Sequence, residues 1–100
     1  MNLIIRGVTY EVREVDEIPP QDVDNADDDD VVLGALDWMN SLIEVRRDLP
    51  TERKTITLLH EVIHALAEDM DLSEEQTEEF AWRMYDFLRR NRFDVEMTWT

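Results

Sequence analysis

The sequence of 100 residues contains no cysteine, only two glycines and three prolines, and no long apolar run. Without cysteine the chain has no disulfide, no thiolate metal ligand and no cysteine nucleophile. The shortage of glycine and proline argues against a low-complexity chain, and 43% hydrophobic residues suffice for one small core. We therefore expect a single folded domain over residues 1–100.

Basic residues are also scarce, with 10 Lys and Arg against 25 Asp and Glu and a net charge of -15. That charge opposes binding to nucleic acid, whose phosphates would be repelled, and favours a basic protein partner. No apolar run approaches the length of a membrane span, and the first residues lack the apolar length of a signal peptide. We expect a cytoplasmic protein that binds neither nucleic acid nor membrane.

Two β-hairpins are predicted in the first half of the chain. Alternating apolar residues over 3–15 indicate one hairpin that turns near Arg6-Gly7. Apolar segments over 31–38 and 42–45 indicate a second hairpin around Met39-Asn40-Ser41. If the strand over 42–45 is a sheet edge, an extended peptide could pair with it.

Residues 16–30, between the hairpins, are predicted to form an acidic mobile loop. Pro19-Pro20 stops regular structure, and the run Asp27 to Asp30 repels itself. The segment lacks the glycine and the final glutamate in the register that a calcium-binding loop requires.

A helix is predicted from about Thr51 to Asp69, because apolar residues recur there at helical spacing and nearly surround its middle. Pro50 suits the helix start, and Asp48 is a candidate N-terminal cap. The middle of this helix should be largely buried.

A second helix is predicted from Ser73 to about Asn91. Ser73 and Gln76 form a capping-box pattern, in which each side chain bonds the other residue's backbone N–H. Residues 92–100 alternate in polarity and suggest an extended tail. The expected fold class is α+β, with a small antiparallel sheet of two hairpins packed on two main helices.

The first helix carries the H-E-x-x-H pattern at His60, Glu61 and His64. Residues four apart share one helix face, so both imidazoles can reach one zinc ion at about 2.0–2.1 Å. Glu61 lies beside them and can take a proton from a water that the metal activates. Polar groups on an apolar helix need partners, and a metal supplies one.

A catalytic zinc site needs a third protein ligand, and no third histidine exists. The ligand must then be a carboxylate if this chain supplies it, and the following helix is the natural donor. Glu78 ranks first because it shares the inward stripe of that helix with Ala81. Glu75 and Glu74 rank behind it as alternatives.

These residues also carry a family resemblance. The sequence resembles the small single-domain HExxH proteins of bacteria and their phages, which are related to ImmA/IrrE-type and other minimal gluzincin metallopeptidases. The resemblance implies a minimal zincin-like fold, a Zn²⁺ cofactor, a peptide or protein substrate and hydrolysis of peptide bonds. It also implies two histidine ligands, a glutamate base and a glutamate ligand from the later helix, which match His60, His64, Glu61 and Glu78. The matching segments are Gly7 to Val12, Leu33-Gly34 with Asp37, Arg53-Lys54 with Thr57 to Ala65, Leu72 to Glu75 with Glu78, and Ala81, Tyr85, Phe87-Leu88 and Asn91.

Two other interpretations stay open. The net charge of -15 and the acidic loop are compatible with a non-enzymatic acidic binding protein, such as a phage-encoded inhibitor of a host factor. Its HExxH site would be structural or vestigial. In the third interpretation, the motif arises by chance on a helix that binds no metal.

Overall fold

The computed structural model describes residues 1–19 and 32–93 of the chain. The expected α+β class is confirmed. The six elements, in chain order, are β1 (Asn2–Ile5), β2 (Val8–Val15), β3 (Gly34–Asp37), β4 (Leu42–Arg46), α1 (Thr51–Leu66) and α2 (Glu74–Arg90).

Both predicted hairpins are confirmed. β1 pairs antiparallel with β2, and Arg6 and Gly7 in the connecting turn have φ of 51° and 80°. Two consecutive positive φ values match the twist of tight hairpins. β3 pairs antiparallel with β4, and Trp38 lies in the turn instead of the strand. In that turn the Asp37 carboxylate accepts the backbone N–H groups of Met39 and Asn40 at 3.0 and 3.1 Å.

The sheet that the hairpins form is mixed, whereas an antiparallel sheet was expected. Its order is β1-β2-β4-β3, and β2 runs parallel to β4 with Val12 opposite Ile43. β4 takes the inner position because Ile43 and Val45 are fully buried, while β3 lies at one edge of the described sheet. The condition for peptide pairing along β4, that it lies at a sheet edge, is therefore not met.

The start of the predicted acidic loop is packed against the domain. Ile18 is buried, and the Asp16 carboxylate accepts from the Arg47 guanidinium at 2.8 Å. The predicted mobile loop thus does not begin at residue 16. Residues 20–31, with the run Asp27 to Asp30, lie outside the described part of the chain.

α1 packs directly on the sheet, and the main core lies between them. Leu58 on α1 is fully buried against a cluster that includes Ile43 and Val45. The N-terminal cap of α1 is Pro50, which provides no side-chain hydrogen bond. Asp48 does not cap the helix, because its carboxylate accepts from the Arg46 guanidinium at 3.1 and 2.6 Å.

α2 packs on α1 and makes no close contact with the described strands, so the domain has three layers with α1 in the middle. The expectation that both helices cover the sheet is wrong for α2. Ala81 of α2 is fully buried with Leu59 and Ile63 of α1. The capping box of Ser73 and Gln76 is confirmed, with hydrogen bonds of 2.9 and 3.0 Å. Within the described residues, neither helix is long and apolar enough to cross a bilayer.

The chain after α2 folds back to close the helix. Arg92 has a φ of 56°, and its N–H donates to the Arg89 carbonyl, while the Phe93 N–H donates to the Leu88 carbonyl. This is the Schellman pattern of helix ends, and the Phe93 ring stacks on Phe87 at 5.8 Å. Residues 92 and 93 are therefore not extended, and the remaining predicted tail, residues 94–100, lies outside the described residues.

Candidate metal centre

The middle position of α1 gives the HExxH residues two different surroundings. Glu61 is buried on the side of the sheet, where its Cγ lies 3.5 Å from the position that a Cβ on Gly34 would take. His60 and His64 lie on the side of α2 and are only partly exposed, with side-chain exposures of 15% and 24%. The spacing of the motif thus places the predicted base, Glu61, on one face of α1 and the predicted ligands, His60 and His64, on another.

The Nε2 atoms of both histidines converge with one carboxylate, that of Glu74 in the first turn of α2. The two Nε2 atoms lie 3.1 Å apart. His60 Nε2 is 2.9 Å from Glu74 Oε2, and His64 Nε2 is 2.8 Å from Glu74 Oε1. Among the described residues, these three form a group whose donor atoms all lie within 4.8 Å of one another.

Glu78, the first-ranked third ligand, does not join that group. Its Oε1 lies 3.0 Å from His60 Nδ1, on the far side of the imidazole, and its Oε2 accepts from the Arg53 guanidinium at 2.9 Å. Glu75 is exposed and is also not part of the group. The carboxylate that the structure brings to both Nε2 atoms is therefore that of Glu74.

The alignment of the two helices explains why Glu74, and not Glu78, reaches both Nε2 atoms. His64, late in α1, faces Glu74, early in α2, whereas Arg53, early in α1, faces Glu78. The helices therefore run antiparallel, with the first turn of α2 opposite the end of the motif. Glu74 and Glu78 lie one turn apart on the same stripe, so only the shift between the helices decides between them.

The hydrogen-bonding contacts of the group are compatible with a bound cation. Ionised Glu78 only accepts, so His60 Nδ1 carries the proton, and a neutral His60 ring turns its Nε2 lone pair toward Glu74 at 2.9 Å. Protonating both Nε2 atoms would satisfy Glu74, but it would charge His60 and leave two N–H groups 3.1 Å apart. A cation lets both lone pairs and the carboxylate point at it.

The donor set and its spacing fit zinc. Zinc takes imidazole nitrogen and carboxylate oxygen at about 2.0–2.2 Å, so neighbouring donors in a tetrahedral site are roughly 3.3–3.5 Å apart. The two Nε2 atoms lie 3.1 Å apart, a few tenths of an ångström closer than in such a site, and each lies 2.8–2.9 Å from a different oxygen of Glu74. One oxygen of Glu74 and the two Nε2 atoms would be the three protein ligands of the ion, and they lie within 4.8 Å of one another.

Arg53 and Glu78 form a chain of contacts that holds His60. Burial opposes the ionisation of Glu78, but hydrogen bonds from Arg53 and His60, with their charges, outweigh it and hold the pKa of Glu78 below its usual value. The Arg53 guanidinium also lies 5.9 Å from the centre of the Trp82 ring. A carboxylate at the second ring nitrogen, as Glu78 is at Nδ1 of His60, fixes the tautomer and orientation of a histidine in metal sites. Sequence reasoning named Arg53 only within a segment that carries the resemblance and gave it no role at the site, although its position two turns before His60 was a usable signal.

The two groups predicted to work at the metal have shifted pKa values in the metal-free protein. Burial raises the pKa of Glu61 to about 7; a positive charge on a protonated His60 opposes this rise, and Glu74 and Glu78 add to it. Burial also lowers the pKa of His64 more than the Glu74 carboxylate raises it. His64 is thereby favoured as neutral imidazole, the form that binds metal ions.

Comparison with protein-family models, with curated proteins and with solved structures finds no match to this chain. The resemblance to HExxH metallopeptidases therefore stays a prediction from the sequence.

Proposed function

We propose that this protein is a zinc-dependent peptide hydrolase in which His60, His64 and Glu74 hold the ion and Glu61 is the general base. The convergence of two Nε2 atoms, 3.1 Å apart, on one carboxylate, whose two oxygens lie 2.9 and 2.8 Å from them, is the observation that carries the proposal. Two histidines and a glutamate are a ligand set of catalytic zinc, and they leave a fourth position open. Glu74 thus replaces Glu78 in the proposed ligand set.

Bound at this position, zinc would act as a Lewis acid that polarises a peptide carbonyl and makes water more acidic. Glu61, next to His60 in the chain, would accept the proton of the attacking water on its carboxylate. It would then return that proton to the nitrogen of the leaving amine. The Arg53–Glu78 pair keeps the proton of His60 on Nδ1, so that Nε2 offers its lone pair.

A peptide substrate would lie along β3, the strand that packs against the buried side of the motif. Gly34 in β3 lies so close to α1 that an added Cβ would fall 2.6 Å from Thr57 Cγ2. β3 is an edge of the sheet within the described residues, and an extended peptide can add to such an edge through backbone hydrogen bonds. The cytoplasmic location stays a prediction.

Metal analysis of the purified protein tests the first half of the proposal. We expect about one zinc per chain after purification or reconstitution, measured by mass spectrometry of the metals. His60→Ala and His64→Ala should each lose it, while Glu75→Gln, which removes an exposed carboxylate of α2, should retain it. A wild-type protein that takes up no zinc would refute the proposal, and iron in its place would refute the assignment of the metal.

Hydrolysis tests the second half. We expect the zinc-loaded protein to cleave members of a mixed peptide library, and Glu61→Gln to lose cleavage while it keeps its fold and its zinc. The alternative of an acidic binding protein makes the opposite prediction, because a binder with a structural metal should be indifferent to Glu61→Gln. Equal function of wild type and Glu61→Gln in a cell-based assay, with no cleavage by either, would support the acidic binding protein.

A further inference from the structure

A small cleft of about 180 Å³ opens on the His64 side of the metal centre. His64 forms part of its wall, so the cleft is continuous with the site at which the proposed reaction takes place. Pockets for whole small molecules usually measure about 300–1,000 Å³, so this cleft is of a size for one side chain.

The walls of the cleft combine apolar and acidic groups. Ile63 and Leu72 provide aliphatic surface, and Trp38, from the turn between β3 and β4, provides an indole that is 46% exposed. Glu68 and Asp71 supply two carboxylates, and among the described residues no lysine or arginine lines the cleft. An exposed aromatic ring beside carboxylates is a favourable environment for a cation.

The guanidinium of Arg6 balances part of this charge. The Arg6 guanidinium lies 3.5 Å from Glu68 Oε1 and 3.6 Å from Asp69 Oδ1, and both of these pairs are largely exposed. Exposed pairs of this kind are weak. Arg6 brings one positive charge against three carboxylates in this region, Glu68, Asp69 and Asp71, so the cleft stays acidic.

We propose that the cleft is the subsite for a lysine or arginine side chain of the substrate, next to the bond that is cleaved. The proposal rests on the proposed peptide hydrolase. Such a side chain would lay its methylene groups along Ile63 and Leu72 and bring its charged end to Trp38, Glu68 and Asp71. An acidic side chain would be repelled, and a plain apolar side chain would bring no positive charge to the two carboxylates. The net charge of -15 would also draw a basic peptide toward the protein.

Binding of defined peptides to the zinc-loaded Glu61→Gln protein tests this proposal without cleavage. Three otherwise identical fluorescent peptides carry Lys, Leu or Glu at one position, and fluorescence anisotropy gives each Kd. We expect the Lys peptide to bind about tenfold tighter than the Leu peptide, and the Glu peptide to bind weakest. Equal Kd values for the Lys and Leu peptides would overturn the proposal.

Charge variants separate the cleft from the general acidity of the protein. Glu68→Gln with Asp71→Asn should abolish the preference for lysine, and Trp38→Ala should reduce it independently. The matched control is Glu17→Gln with Glu52→Gln, which removes two exposed acidic charges that do not line the cleft. An equal loss of preference in the control pair and in the cleft pair would assign it to net charge and overturn the proposal.

Cleavage by the active protein then distinguishes this inference from the proposed function. Cleavage that ignores the basic position would refute the subsite and leave the hydrolase. A lysine preference in binding that depends on the cleft, with no cleavage of any peptide, would support the subsite and refute the hydrolase.

Discussion

Replacing Glu61 by glutamine should change the pH dependence of stability of the metal-free protein. The pKa of Glu61 is raised by burial to about 7 from an ordinary value of 4.5, so the folded state keeps a proton that the unfolded chain releases. The stabilisation from this group is complete below about pH 4.5 and is lost as the pH rises to about 7. The difference amounts to about 3 kcal/mol, which wild type loses over this range and Glu61→Gln does not.

Urea denaturation in the presence of a chelator measures this effect. The free energy of unfolding is determined at several pH values between 5 and 8 for wild type and Glu61→Gln, since the other titrating groups are common to both. We expect similar stabilities near pH 5 and a more stable Glu61→Gln near pH 8. Glu75→Gln controls for the loss of one acidic residue and should follow wild type. Parallel curves for wild type and Glu61→Gln would refute the burial of this carboxyl.

Three further predictions concern packing and the support of the metal centre. Gly34→Ala should destabilise the protein by about 1–3 kcal/mol in urea denaturation, because the new Cβ meets Thr57 Cγ2 at 2.6 Å, and Thr57→Ser should relieve much of this loss. A full loss in the Thr57→Ser background would contradict that contact. Arg53→Ala should weaken zinc binding about 10–100-fold in a competition titration, whereas Arg83→Ala on the exposed face should not. Leu58→Ala should cost about 2–5 kcal/mol of stability, and a cost below 1 kcal/mol would contradict its place in the core.

The sequence predicted the local elements well because their signals are local. Alternating apolar residues predicted β2, and the capping-box pair Ser73 and Gln76 predicted the start of α2. The sequence did not predict the parallel pairing of β2 with β4. The order of hairpins in a sheet depends on which strand buries the most apolar side-chain surface. That information lies in the fully buried Ile43 and Val45, compared with the partly exposed residues of β3.

The same limit applies to the candidate metal centre. Helical spacing alone placed His60 and His64 on one face, and it named Glu74 and Glu78 as members of one stripe on α2. The choice between the two glutamates depends on how far α2 is shifted along α1, which no spacing within a single helix reveals. The contact of Glu78 with Nδ1 instead of Nε2 required the orientation of the His60 ring.

The central claim is that Glu74, with His60 and His64, holds the zinc ion, while Glu78 orients the His60 ring through its contact with Nδ1. The most direct test is the zinc affinity of Glu74→Ala, Glu78→Ala and Glu75→Ala, measured against a chelator of known affinity. We predict a loss of more than about 100-fold for Glu74→Ala, about 10–100-fold for Glu78→Ala, and no change for Glu75→Ala. Wild-type affinity in Glu74→Ala, or a greater loss in Glu78→Ala than in Glu74→Ala, would contradict the account.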